Sequence, residues 1–177
     1  MLNSKLEFEG AEIRKEGNEI VVKGEKGELR KTLKHPLISI SISGNSLEIK
    51  SKEEGRKIKA VIGTWTAIIK NMVEGVKKGY EAKLRMVHSH FPAKLDFKDN
   101  KFTIQNFLGQ RSTKSTTIPK DIELKIDKND VIIKGLDKER LGQIAGKIEN
   151  MVRIRKFDRR VFQDGCYIVQ HPEVIGS

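Results

Sequence analysis

Two stretches of the chain repeat apolar residues at steps of three and four, which is the spacing of a helix that buries one face. Asp137 precedes the second stretch, where its carboxylate could cap the first turn of a helix. Each half of the chain is therefore predicted to contain one helix of roughly four turns. The apolar stripes are Val61, Trp65, Ile68, Ile69, Met72 and Val76 in the first half, and Leu141, Ile144, Ala145, Ile148 and Val152 in the second.

Short runs in which apolar and polar residues alternate precede each predicted helix and indicate β-strands. Residues 38–42 and 47–49 flank a Gly44-Asn45 turn, which is the pattern of a β-hairpin. Residues 122–126 and 131–133 repeat this pattern in the second half. Because a helix with one apolar stripe must cover a sheet or another helix, each half is predicted to be a small antiparallel sheet covered by one helix. The expected fold class is α+β.

The two halves also resemble each other with a period of about 80 residues, which indicates an internal duplication. Three matches occur in the same order in both halves. Residues 17–23 align with 99–105, residues 46–50 align with 130–134, and Asn71-Met72-Val73 recurs as Asn150-Met151-Val152.

The boundary between the two units is expected near Gly79, which follows the first helix, because a new alternating run begins at Tyr80. The predicted units are therefore residues 1–80 and residues 81–177, two tandem copies of one small fold. The tail from Gln170, which contains Pro172, is expected to extend off the second unit.

The charge of the chain indicates a polyanionic partner. It has 35 Lys and Arg residues against 24 Asp and Glu, a formal net charge of +11, which favours nucleic acid as the partner.

The single cysteine, Cys166, excludes an intrachain disulfide and an all-cysteine metal site, and it fits a reducing compartment. No apolar run approaches the roughly 18 residues of a membrane span. We therefore expect a cytoplasmic protein.

The sequence offers no convincing constellation for catalysis, so we predict no enzyme, no metal and no cofactor. Gly24 and Gly27 lack the lysine that follows in a phosphate-binding loop, and they are interpreted as a turn between strands. His88 and His90 could share one face of a strand and bind a metal, but no third ligand is evident. RNA contact is the alternative for both histidines. Cys166 lies in a predicted strand and is interpreted as a packing residue.

The basic segment that follows the second helix is the principal candidate for RNA binding. A helix dipole accounts for one or two cations near its C-terminus, but not for five. Arginine also predominates there, and its planar guanidinium binds phosphate through two hydrogen bonds and stacks on bases. After the first helix the chain has only Lys77 and Lys78, so the feature belongs to the second repeat. The predicted contact residues are Arg153, Arg155, Lys156, Arg159 and Arg160.

A second candidate is the polar stretch 105–117, where Arg111 and Lys114 accompany many hydroxyl groups that can donate to phosphate and ribose oxygens. It is interpreted as a loop, and a solvated loop without function is the alternative. The corresponding loop of the first half, residues 27–34, carries Arg30, Lys31 and Lys34 and is a weaker candidate.

Six stretches of the chain resemble the large-subunit ribosomal protein L-six family, called L-nine in eukaryotes, and in particular its archaeal branch. The last of the six, Asp-Arg-Arg-Val-Phe-Gln-Asp-Gly, is the most specific. The stretches are residues 61–65, 70–76, 89–92, 106–109, 137–139 with 142–143, and 158–165.

This resemblance implies two tandem α+β domains that bind large-subunit rRNA near the stalk base, in the region that translational GTPases visit. It also implies that the second domain makes much of the rRNA contact, that the segment 153–165 takes part in this contact, and that neighbouring ribosomal proteins are partners. The alternative hypothesis is a protein-docking module within a ribonucleoprotein, in which the basic residues only aid solubility.

Overall fold

A computed structural model describes residues 3–8, 10–44, 46–51, 53–88, 91–155, 157–158 and 160–176. The chain divides into two compact units, Met1–Gly79 and Tyr80–Ser177. Neither helix of the described chain is long and apolar enough to cross a membrane.

The described residues of the first unit form six strands followed by one helix. The strands form two antiparallel sheets with the orders β1-β6-β5 and β2-β3-β4. The elements are β1 Asn3–Glu7, β2 Glu12–Glu16, β3 Glu19–Gly24, β4 Gly27–Thr32, β5 Ile38–Ser43, β6 Ser46–Ser51 and α1 Arg56–Lys78.

Helix α1 buries the predicted apolar stripe, with Trp65 and Ile69 packed in one core with Ile20 and Leu47 from the sheets. Its length is 23 residues rather than the predicted four turns. The first turn, residues 56–60, is mainly polar, and the one side chain there that packs on the core, Ile58, is only partly buried, so the apolar stripe from Val61 onward indicated too late a start for the helix. The helix ends at Gly79, whose φ of 76° suits glycine and whose N–H donates to the carbonyl oxygen of Gly75.

The second unit repeats this plan and adds one strand. Its sheets have the orders β11-β12-β7-β13 and β10-β9-β8. The elements are β7 Tyr80–Val87, β8 Lys94–Lys98, β9 Lys101–Gln105, a short 3-10 helix Phe107–Gly109, β10 Lys114–Thr117, β11 Glu123–Asp127, β12 Asp130–Gly135, α2 Lys138–Met151 and β13 Gly165–Val174.

The strand orders of the two units correspond one to one. The β1-β6-β5 sheet matches β7-β12-β11, the β2-β3-β4 sheet matches β8-β9-β10, and α1 matches α2. Both predicted hairpins are present, as β5 with β6 and β11 with β12. The prediction of a duplicated α+β fold is confirmed, with two small sheets in each unit.

Strand β13 is the addition, and it corrects the expectation that the tail would leave the second unit. Instead the chain pairs with β7 as far as Val174, which lies opposite Tyr80. The register shifts between Ile168 and Gln170 and again between Gln170 and Glu173. Pro172 is tolerated because β13 is an edge strand and its pairing is irregular at that point.

Two segments predicted to be loops contain regular structure. Most of 27–34 is β4, where Arg30 forms an ion pair with Glu28 at 2.7 Å, so its charge is already compensated. The stretch 105–117 contains the 3-10 helix and β10, which buries Thr116 opposite Phe102 of β9. Their polar composition led to the prediction of loops, because an edge strand can expose most of its side chains and then shows no apolar pattern.

Candidate nucleic-acid interface

Helix α2 carries the candidate interface at its C-terminal end. The predicted cap is confirmed, because the Asp137 Oδ1 accepts hydrogen bonds from the backbone N–H groups of Glu139 at 2.9 Å and Arg140 at 3.3 Å. One face of the helix is buried against the core of the second unit, so its end is fixed in position. The buried residues are Leu141, Ile144, Ala145 and Ile148.

Residues 152–164, here called the basic loop, connect α2 to β13 and are held at both ends. Val152 is buried, and the N–H of Arg153 donates to the carbonyl oxygen of Asn150 at 3.4 Å. Ile154 packs against the core, and Gly165, the first residue after the loop, pairs with Val87 of β7. The loop is therefore attached to a rigid scaffold at its start and its end.

Asp158 organises a turn inside the basic loop. Its Oδ1 accepts a hydrogen bond from the N–H of Arg160 at 2.9 Å, and its carbonyl oxygen accepts from Val161 and Phe162 at 3.1 and 2.9 Å. The ring of Phe162 contacts that of Phe157, with 5.0 Å between the centroids. These contacts give the middle of the loop a defined shape.

Arg153, Arg155 and Arg160 are exposed on this loop. In the described part of the chain none of the three forms an ion pair with an acid. Arg85 and Arg140, by contrast, bind Asp130 at 2.7 Å and Asp121 at 3.0 Å. The loop arginines thus keep their capacity for an external anion. Lys156 and Arg159, which were also predicted to bind RNA, lie outside the described residues.

Lys114 of β10 reaches the same surface, so the structure brings together two candidates that are far apart in sequence. A groove of about 430 Å³ is lined by Lys114, Arg153 and Arg155 together with Phe107 and Phe157. The Lys114 Nζ lies 4.8 Å from the centroid of the Phe107 ring. Partial burial and the charge of Arg155 lower the pKa of Lys114. We call this feature the cationic groove.

The 3-10 helix fixes one wall of the cationic groove. Asn106 and Leu108 have φ angles of 59° and 53°, an unfavourable conformation for residues with a side chain. Burial of Phe107 and a hydrogen bond from the Asn106 Nδ2 to the Pro92 carbonyl oxygen at 3.0 Å offset this cost. Arg111 follows this turn and is exposed, but it does not line the groove.

His88 is not on a strand, where the metal hypothesis placed both histidines. His88 follows the last residue of β7, and its Nε2 lies 3.4 Å from the Asn129 Nδ2; His90 lies outside the described residues. Since Val87 pairs with Gly165, His88 is at the end of the sheet where the basic loop enters β13. Among the described residues no cluster of His, Cys, Asp and Glu could hold a metal ion.

Cys166 lies in β13, as predicted, and is 1% exposed. Burial, with a smaller contribution from the charge of Glu149, raises the pKa of the thiol to about 12. A nucleophilic cysteine needs a lowered pKa, so this side chain is suited to packing.

The prediction from charge alone did not identify the aromatic residues around the basic loop. Phe157 is 48% exposed, and Tyr167 is partly exposed on β13 with its hydroxyl donating to the Gln163 carbonyl oxygen at 3.0 Å. A second pocket of about 250 Å³ lies beside Tyr167 and shares Arg153 with the cationic groove. The alternation of apolar residues with cations in 153–162 was the signal that could have revealed them.

Comparisons with known proteins agree with this arrangement. The family model described as Ribosomal protein L6 matches residues 9–79 and 91–165, one stretch in each unit. The large ribosomal subunit protein uL6 of Methanothrix thermoacetophila is 40% identical over 162 residues, covering 92% of both chains. The proteins of the same name from Methanocella arvoryzae and Haloarcula marismortui are each 38% identical, covering 90% and 87% of this chain and 91% and 86% of their own. The chain therefore belongs to the ribosomal protein L6 family, and it is of the archaeal type.

Proposed function

We propose that this protein is a structural constituent of the large ribosomal subunit and that it binds large-subunit rRNA through the basic loop and the cationic groove. The observation that carries this proposal is the convergence of Arg153, Arg155 and Lys114 without an acidic partner among the described residues. Family membership supports it, because the relatives are named for the large subunit.

The chemistry of the surface suits an RNA backbone. Guanidinium groups bind phosphate oxygens through two hydrogen bonds, and their attachment to a fixed loop sets the register of the protein on the RNA. Exposed aromatic rings such as Phe157 can stack on unpaired bases. The proposed contact also includes Arg160, Arg111 and His88, and Lys156, Arg159 and His90 are proposed to contribute as well.

The resemblance to the family supports a finer assignment. We place the rRNA site near the stalk base, close to the region that translational GTPases visit, with neighbouring large-subunit proteins as further partners in the cytoplasm. Proteins of this family are structural and not enzymatic, and we assign the chain no catalytic role.

A protein-docking module within a ribonucleoprotein is the second candidate. In that case the arginines would aid solubility, and their removal would leave the affinity for rRNA and its salt dependence unchanged. Binding measured against salt concentration separates the two functions, because each phosphate contact contributes about 0.7 to 0.9 to the logarithmic slope.

The test compares two triple variants that lose the same charge. Arg153, Arg155 and Arg160 are replaced by glutamine in one variant. Arg14, Arg30 and Arg85, which are paired with acids, are replaced by glutamine in the control. The loop variant should bind large-subunit rRNA more weakly, with a slope reduced by roughly two to three. Equal slopes for the two variants would overturn the assignment.

A further inference from the structure

The cationic groove collects like charges at a site that is partly shielded from water. Partial burial and, to a smaller extent, the charge of Arg155 disfavour the ammonium form of Lys114, and Arg153 lines the same groove. No described acid offsets this repulsion, since Lys114, Arg153 and Arg155 form no ion pair within the described chain. Such an arrangement is unfavourable in the free protein and becomes favourable when an anion enters.

The cationic groove is also lined by an aromatic ring, that of Phe157. Phe157 is 48% exposed, although burial of an aromatic side chain is normally favourable. Its contact with Phe162 and the turn around Asp158 keep the ring at the surface. An exposed ring beside several cations is the arrangement on which unpaired bases stack in RNA-binding proteins.

The dimensions of the groove limit what can enter. Pockets for small ligands span about 300 to 1,000 Å³, and this one has about 430 Å³. That space accommodates one nucleotide but not a double helix, which could only contact the rim.

We infer that the cationic groove holds a single unpaired nucleotide of the bound RNA, with its phosphate between Lys114 and Arg155 and its base against the ring of Phe157. This inference rests on the proposed function in that the natural partner is RNA. It adds that the protein distinguishes an unpaired nucleotide from a base-paired one, which phosphate contacts alone do not do. The recognised base is one that has left the RNA double helix. Stacking on a ring face accepts any of the four bases, so the preference is for an unpaired nucleotide and not for a sequence.

The test uses adenosine 5′-monophosphate, uridine 5′-monophosphate and inorganic phosphate as probes of the full-length chain. NMR titration with labelled side chains should show changes at Lys114, Arg155 and the Phe157 ring. Base stacking should make the mononucleotides bind about 5- to 100-fold more tightly than phosphate. The Phe157→Leu variant should lose that advantage while its affinity for phosphate stays the same.

Phe91→Leu is the matched control, because Phe91 is exposed to a similar extent, 45%, and does not line the groove. Equal affinities for mononucleotides and phosphate, or changes confined to other residues, would overturn the inference. If the loop arginine variant still lost affinity for rRNA in that case, the proposed function would stand and only the nucleotide pocket would fall. If the loop arginine variant also bound rRNA with unchanged affinity, both the proposed function and the nucleotide pocket would be refuted.

Discussion

The Glu149 carboxylate accepts a hydrogen bond from the backbone N–H of Ile168 at 3.2 Å, and this bond joins the last turn of α2 to β13. Ile168 is the last regularly paired residue before the register of β13 shifts against β7. The bond satisfies an N–H at an irregular point of the sheet, and it spans the two ends of the basic loop. A residue with no expected RNA contact thereby helps to fix the ends of the loop that we propose binds RNA.

Two substitutions of Glu149 should separate the effect of this hydrogen bond from the effect of the carboxylate charge. Glu149→Ala removes the acceptor and should lower the free energy of unfolding by about 1 to 3 kcal/mol, and it should also weaken rRNA binding. Glu149→Gln keeps an acceptor oxygen and should preserve most of the stability and the affinity. Chemical denaturation and rRNA binding measure the two effects. Equal behaviour of the two variants would contradict the anchoring role.

Cys166 provides an internal reporter of the fold, because it is the single cysteine of the chain. Since its pKa is raised from 9.0 to about 12, its thiolate is roughly 1,000-fold scarcer at neutral pH than that of an unperturbed thiol. A thiol reagent should therefore label the native protein very slowly and the denatured protein at the ordinary rate. Fast native labelling would mean that β13 opens readily.

The same thiol predicts a pH dependence of stability. The folded pKa lies above the unfolded value, so its contribution is fully present below pH 9 and is lost as the pH rises from 9.0 toward 12. Denaturation of the wild type and of Cys166→Ala across this range checks the prediction, because only the wild type should show that component of the loss. Glu149→Gln should lower the pKa of Cys166, since one of the two causes is removed.

Two glycines of the first unit should respond to alanine in opposite ways. A methyl group at Gly63, in the middle of α1, would meet no atom within 4 Å, so Gly63→Ala should stabilise the unit by about 0.5 to 1 kcal/mol through helix propensity. At Gly24 a Cβ would lie 2.7 Å from the Val76 Cγ2 and 2.9 Å from its carbonyl oxygen, so Gly24→Ala should destabilise by about 1 to 3 kcal/mol. Fluorescence of Trp65 during denaturation reports both changes. A destabilised Gly63→Ala variant would contradict the first prediction, and a Gly24→Ala variant at least as stable as the wild type would refute the packing at Gly24.

Substitutions of Asp158 test whether the conformation of the basic loop or its net charge determines the affinity for rRNA. Asp158→Ala and Asp158→Asn both remove a negative charge and so raise the net charge by one. Only asparagine retains an acceptor for the N–H of Arg160. If loop shape matters, the alanine variant should bind rRNA several-fold more weakly than the asparagine variant. Equal tightening in both, by contrast, would mean that net charge alone sets the affinity.

Much of the fold was predictable because it depends on local periodicity. The apolar stripe that contains Trp65, the hairpin around residues 38–49 and the Asp137 cap each follow from residues that are neighbours in sequence. The duplication then allowed one half to support the interpretation of the other. The start of α1 was missed because its first turn is mainly polar and contributes only the partly buried Ile58 to the core.

The remaining features depend on contacts between distant residues. Nothing near Lys114 in the sequence indicates that it shares a groove with Arg155, since the pairing of β10 with β9 and the packing of α2 bring them together. The pairing of β13 with β7 was also hidden, because Pro172 is typical of a tail and an irregular edge strand tolerates it. The charge pattern identified the basic segment, but not the rings beside it.

The extra strand also affects the step at which the conformational entropy of the proposed RNA-binding segment is lost. A basic tail would lose its conformational entropy on meeting RNA, at about 1 to 2 kcal/mol for each residue fixed. A loop whose ends are fixed by α2 and β13 loses much of that freedom when the protein itself folds. In this chain β13 therefore moves the entropic cost from recognition to folding, and more of the contact energy is available for affinity.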